Sequence, residues 1–159
     1  IPRMSPEARN LLTIENDEMG WGLESSLELE KHCALVLDIH HHWVRTGEYI
    51  QANDDRVKRV IDSWRGVRPT MHYSYSRDEW LSPAYPDGKM HEGIHDMQTL
   101  LDKGCKKQKL RAHSDMLPNP AVNEWALTFL PELDIQVEAK NKNLAAEQLH
   151  DQALKLGLV

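Results

Sequence analysis

Leu35-Val-Leu-Asp-Ile-His-His-His42 is an apolar run that ends in one carboxylate and three imidazoles. Three other short apolar runs end in a similar way. Leu11-Leu-Thr-Ile-Glu15 and Ile135-Gln-Val-Glu138 each end in a carboxylate, and Val67-Arg-Pro-Thr-Met-His72 ends in an imidazole. Helical patterns separate these runs, so they read as strands of a parallel sheet. In such sheets ligands and chemistry gather at the carboxyl ends of the strands. Glu15, Asp38, His72 and Glu138 therefore fall on one rim.

The punctuation between the runs supports this. Residues 10–16 form the first strand and residues 24–32 an amphipathic helix, with Leu23, Leu27 and Cys33 on its apolar side. Residues 35–39 are the second strand. Asn53 caps a helix over 54–64, with Val57, Val60, Ile61 and Trp64 on one face, and Gly66 stops it before a strand over 67–73. Residues 73–93 are rich in Ser, Pro and Tyr and read as irregular, with a short helix over 94–101 and a basic surface run over 103–111. Segment 74–111 is thus a long insertion, and long connections inside compact domains tend to be functional or mobile. Pro120 opens a helix to residue 130, residues 134–138 are the fourth strand, and 143–156 form a closing helix.

The expected class is α/β, with parallel strands, outer helices and about four βα units. That makes it part of a (β/α)8 TIM barrel, because right-handed crossovers build such barrels. Residues 1–159 read as a single domain, the carboxyl-terminal half of that fold. The chain begins with Ile, so an upstream segment is expected to be missing, and residues 1–9 read as a leader or the end of a preceding helix. No apolar run is long enough for a membrane span and no signal peptide is visible. A cytoplasmic protein with Cys33 and Cys105 as reduced thiols follows. The net charge of -6 argues against a generally basic nucleic-acid surface, although carboxylates that hold cations inflate the acidic count.

A single polar residue at a strand end is commonplace; four on one rim point to a divalent cation. Three carboxylates suit hard cations, and added imidazoles shift the preference towards Mn, Zn, Fe or Co. On an extended segment Asp38, His40 and His42 share a face that His41 opposes, unless a loop turns His41 back to the rim. One of these histidines then serves to orient a ligand. His113-Ser-Asp115 adds an imidazole and a carboxylate at a loop tip. His91 and His95 are expected in solvent, as are His32 and His150. Trp64 and Trp125 suit helix core faces, Trp43 flanks the pocket, and Tyr73, Tyr75 and Tyr85 are candidates for stacking on bases. No nucleophilic Ser or Cys motif and no Gly-rich phosphate loop is present, so the chemistry is expected to be metal chemistry.

Several of these elements together resemble the UV damage endonucleases, relatives of endonuclease IV among the xylose-isomerase-like TIM barrels. They are Leu12-Thr-Ile-Glu-Asn-Asp17, Leu35-Val-Leu-Asp-Ile-His-His-His42, Met71-His-Tyr-Ser74, Arg111-Ala-His-Ser-Asp115 and Asp134-Ile-Gln-Val-Glu-Ala-Lys140 with Lys142. The resemblance implies a cluster of up to three divalent metals, Mn or Zn first and Mg, Fe or Co as alternatives. It implies hydrolysis of a phosphodiester 5′ to UV or other lesions in double-stranded DNA. Glu15 matches a bridging carboxylate; Asp38, His72 and Glu138 match the other ligands of one metal; His41 and His113 match ligands of a further metal. Glu15, Asp38 and Glu138 are the catalytic carboxylates, with His40, His42 and Asp115 as neighbours of the ligands. The chain departs from the pattern at Thr70, where the family commonly has lysine, and in the length of the segment before Arg111.

Two alternatives stay open on the residues alone. One is a metal-dependent sugar isomerase or epimerase of the same fold. The other is a non-catalytic half barrel that closes its open strand edges on a second copy, as an amino-terminal half would otherwise do.

Overall fold

The strands of the computed structural model, which describes residues 1 and 3–159, pair in parallel. β1 (Thr13–Glu15) pairs with β2 (Ala34–Val36), aligning Glu15 with Val36. β3 (Thr70–Tyr73) pairs with β4 (Asp134–Val137), aligning His72 with Gln136. The two ladders meet at their carboxyl ends. There the His72 amide donates to the Leu37 carbonyl at 2.9 Å, and Asp38 bridges His72 in the parallel sense.

Farther back the ladders diverge. The Leu35 amide donates to Ser63 Oγ at 2.9 Å, and the Leu35 carbonyl accepts the Trp64 indole N–H at 2.6 Å. Two side chains thus take the place of a strand partner, so no buried backbone group is left unsatisfied there.

Around the strands lie α1 (Pro6–Asn10), α2 (Leu23–Leu27), α3 (Ile39–Thr46), α4 (Asp55–Ser63), α5 (Asp78–Leu81), α6 (Met97–Asp102), α7 (Lys107–Leu110), α8 (Pro120–Leu127) and α9 (Asn143–Lys155), with a 3-10 turn at Ser82–Ala84. The core is built from Leu35, Leu37, Ile39, Met71 and Tyr73, packed with Val57 and Val60 of α4, Ala126 of α8 and Ala145 of α9. The outer strands are less covered. Ile135 and Val137 of β4 are half-buried and face a groove lined by Leu127, Leu130, Leu149 and Val159. No helix among the described residues is long and apolar enough to cross a membrane.

The α/β class and the parallel strands agree with the sequence reading, but several local expectations are corrected. The second strand does not run through Ile39: α3 begins there, with Asp38 as its N-cap and the Asp38 Oδ1 accepting from the His41 amide at 2.7 Å. A capping Asp competes with strand extension, and Gly47 at φ 79° ends the helix eight residues later. The three histidines therefore fan out about 100° apart around a helix rather than alternating across a strand.

Other boundaries move by a few residues. Asp54, not Asn53, caps α4; α2 stops at Leu27; and α1 precedes a first strand shorter than expected. Of residues 1–9, residue 2 lies outside the described residues. Segment 74–111 is more ordered than an irregular loop, because Leu81, Ala84, Leu100, Cys105 and Leu110 within it are buried. His95 is buried, at 3% exposure, not in solvent. Tyr73 and Tyr75 are buried too, so neither is free to stack on a base. Both cysteines are free thiols inside the protein.

Candidate metal centre

Each strand delivers one donor to the rim where the two ladders meet. Glu15 ends β1, Asp38 follows β2, His72 is the third residue of β3 and Glu138 follows β4. One donor atom from each lies within 4.8 Å of every other. His72 Nδ1 stands 3.1 Å from Glu15 Oε1 and 3.5 Å from Glu138 Oε1.

Asp38 is the most constrained member. Its side chain is fully buried, its amide donates to Asn16 Oδ1 at 3.0 Å, and its carbonyl accepts from Asn16 Nδ2 at 2.9 Å. Asn16, itself buried, therefore clips the Asp38 backbone in place. Of the Asp38 carboxylate, Oδ1 is used by the helix cap but Oδ2 is buried without a hydrogen-bond partner. His72 Nδ1 is likewise buried and partnerless by hydrogen-bond geometry. Two such orphaned atoms facing two further carboxylates are costly without a cation, and the set of three carboxylates and one imidazole fits a divalent ion.

The electrostatics carry the same signature. Burial, together with the negative charges of Glu15 and Glu138, pushes the Asp38 carboxyl up to about 7 against the pull of His41. The Glu15 carboxylate raises His72. Burial pulls His41 down, but the Asp38 charge, the Asn16 carbonyl, Glu18 and Glu15 outweigh it and His41 ends raised. Burial alone would lift Glu15, yet His72 and His41 hold it below its ordinary value. The metal-free site is a place where protons are held by carboxylates and imidazoles that share too few of them.

The remaining expected residues separate cleanly. His41 turns to the rim from the first turn of α3, with Nδ1 3.4 Å from Glu15 Oε1 and 3.7 Å from Asp38 Oδ2. His113 reaches the same side, its ring centroid 6.0 Å from that of His41. His40 points inward, with its two ring nitrogens bonded to Ser74 Oγ (2.8 Å) and Ser76 Oγ (3.1 Å), and stacks on Trp43. His40 thus supports the histidine layer from below without offering a free donor. His42 points away from the rim to Glu48 at 2.9 Å. Asp115 is exposed and faces Arg77 at 3.8 Å rather than the four donors.

Two residues of the site escaped the sequence reading. Asn16 stands inside the Leu12–Asp17 motif, but nothing in the sequence assigns it a role. Glu18 is buried beside His41, and the repeated acids of Glu15-Asn-Asp-Glu18 were the available hint.

Residues 1–157 match the model of the family UV-endonuclease UvdE. A UV-damage endonuclease of Neurospora crassa is 25% identical over 158 residues, covering 92% of this chain and 20% of that protein. A UV-damage endonuclease of Schizosaccharomyces pombe is 28% identical over 155 residues, covering 92% and 21%. The chain thus spans about a fifth of the length of these curated relatives. The crystal structure of SacUVDE has a similar fold, with a TM-score of 0.60 at 21% identity over 93% of this chain and 41% of that one.

Proposed function

This chain belongs to the UV-endonuclease UvdE family, and on that premise we propose that it carries part of the metal site of a DNA-repair endonuclease. The reaction is hydrolysis of a phosphodiester 5′ to a UV or other lesion in double-stranded DNA. The observation that carries the reading is the pair of buried, partnerless donors, Asp38 Oδ2 and His72 Nδ1, inside a four-residue group at the strand ends.

Glu15, Asp38, His72 and Glu138 hold one divalent cation, Mn or Zn in first place and Mg, Fe or Co as alternatives. His41 and His113 serve a further one. Bound divalent cations supply an activated water and neutralise charge on the attacking and leaving oxygens of phosphoryl transfer. The protein's part is to fix the donors. Asn16 clips Asp38, the Asp38 cap orients α3 and with it His41, and His40 braced by Ser74 and Ser76 sets the floor. Glu15 and Glu138, each about one-third exposed, are the donors open to a phosphate from solvent.

In this reading residues 1–159 are one domain and part of a (β/α)8 barrel, with 74–111 as an insertion on its outside. The half-covered β4 and the exposed Leu11 and Trp21 near β1 mark open edges, closed by further barrel strands or by a second copy. A DNA substrate gives the chain an intracellular place of work.

The test is incision of end-labelled, UV-irradiated duplex in Mn²⁺ by the wild type and by Glu15→Gln. A single cut on the 5′ side of the lesion, lost in Glu15→Gln, is the expected result. Ketose–aldose exchange without incision, or incision that survives Glu15→Gln, would overturn the proposal.

A further inference from the structure

The basic run that ends the insertion has no part in the metal site. Residues 103–111 carry Lys103, Lys106, Lys107, Lys109 and Arg111 out of the chain's 19 basic residues, and no acid follows Asp102 until Asp115. All five are exposed, in a protein whose net charge is -6.

A run of like charges is often plain solvated surface, but the neighbours of this one set it apart. Lys103 Nζ donates to the Ala84 carbonyl at 3.4 Å, Lys107 Nζ donates to the Arg45 carbonyl at 2.6 Å, and Lys109 Nζ lies 4.8 Å above the Trp80 ring. Carbonyls and an indole hold an ammonium in place without cancelling its charge. Among the described residues no lysine of the run pairs with a carboxylate, whereas Lys58 and Lys89 each face one.

The run also leads to the rim. Arg111 donates through Nε to Glu18 at 2.8 Å, and Glu18 faces His41 at 3.6 Å. Next to it the Ser76 hydroxyl donates to the Leu110 carbonyl at 2.7 Å, the Arg77 amide donates to the Ala112 carbonyl at 3.1 Å, and Ser76 bridges His113 in the antiparallel sense. Residues 110–113 therefore join the basic surface to the imidazoles of the rim. The rim's own carboxylates repel a phosphodiester until cations cover them, so affinity for a polyanion has to come from flanking surface.

We propose that the Lys103–Arg111 surface is a docking track for the phosphate backbone of duplex DNA, holding the duplex beside the rim without reading its sequence. Lysine ammonium groups are point charges that suit phosphate oxygens, and phosphate contacts position a duplex while carrying no base information. The proposal rests on the DNA-repair reading above but puts substrate affinity on the insertion, outside the metal ligands.

Fluorescence anisotropy of a labelled, undamaged duplex, titrated with the full chain in chelator over a series of KCl concentrations, tests this without any metal. The wild type is expected to bind, with an affinity that falls steeply as salt rises. Lys103→Gln/Lys106→Gln/Lys109→Gln removes up to three phosphate contacts. The slope of log affinity against log salt concentration should then shrink by about 2–3, with affinity at low salt at least about tenfold weaker. Lys103→Arg/Lys106→Arg/Lys109→Arg should keep the wild-type slope, as should Lys58→Gln, whose charge faces Asp55. A wild type that does not bind, a triple glutamine variant with the wild-type slope, or a Lys58→Gln that flattens the slope as much per residue overturns the proposal. Stronger binding of the wild type to phosphatidylserine vesicles than to duplex at equal anionic charge assigns the surface to a membrane and also overturns it. Duplex held through these lysines but never incised in Mn²⁺ overturns the hydrolysis alone and supports the track; incision by a chain whose slope ignores the lysines does the reverse.

Discussion

Replacing Asp38 with asparagine should make the metal-free protein more stable, not less. The carboxyl is fully buried, its Oδ1 caps α3 and its Oδ2 has no partner. An amide keeps the capping oxygen and puts an NH₂ where Oδ2 now faces Glu15, His72 and Glu138. Ionising the wild-type carboxyl at pH 8 opposes folding, because its pKa is raised from 3.8 to about 7. At about 1.4 kcal/mol for each tenfold change in proton affinity, the upper limit of that penalty is about 4 kcal/mol. Compensation by His41 brings the expected gain to about 1–3 kcal/mol, or roughly 2–4 °C in Tm for each kcal/mol in a chain of this size. The assay is thermal unfolding in chelator at pH 8, repeated with excess Mn²⁺. Asp38→Asn should melt higher than wild type in chelator and gain less from Mn²⁺. A variant that melts lower in chelator and responds to Mn²⁺ like wild type would refute the reasoning.

Other outcomes follow from the same site. In chelator, stability should fall from pH 5 to pH 8. Asp38 is raised, so its contribution is lost as pH rises from its unfolded 3.8 through about 7; His41 and His72 are also raised, and theirs is lost as pH climbs past 6.5. Glu15 is lowered, so its contribution is present above 4.5 and lost only in acid; a melting point that rises steadily from pH 5 to pH 8 would contradict this balance. Asn16→Ala removes both side-chain bonds to the Asp38 backbone and should cost about 2–4 kcal/mol and weaken Mn²⁺ binding, read by denaturant unfolding and calorimetry. Gly47→Ala forces a side chain into a left-handed C-cap, with its Cβ 3.0 Å from Met97, and should lower Tm by a few degrees at about 1–2 kcal/mol while Mn²⁺ affinity stays unchanged.

The strand-end donors were legible in the sequence because parallel strands advertise themselves by short apolar runs, and the rim follows from their direction. Local patterns alone place Glu15, Asp38, His72 and Glu138 at corresponding strand ends. The geometry of the three histidines was not legible in the same way. Asp38 is both the end of a strand-like run and a helix cap, and a single sequence does not say which role takes the backbone. The burial of His95 is illegible for a different reason. Its partners, the Tyr75 and Tyr85 hydroxyls at 2.7 Å and the Tyr49 hydroxyl that accepts from its amide, lie 20, 10 and 46 residues away in the chain. Burial by distant partners leaves no periodic trace. Glu18 was hidden because it sits in a turn next to Asp17, whose carboxylate folds that turn by accepting from the Met19 and Trp21 amides.

Glu15, Asp38, His72 and Glu138 act as a metal site only if they share one cation. Anomalous diffraction at the manganese edge from crystals of the wild type grown with Mn²⁺ tests this directly. The account predicts a peak within about 2.0–2.5 Å of a donor from each of the four residues. Data that place manganese elsewhere, or show these side chains paired with one another around no peak at saturating Mn²⁺, would contradict it.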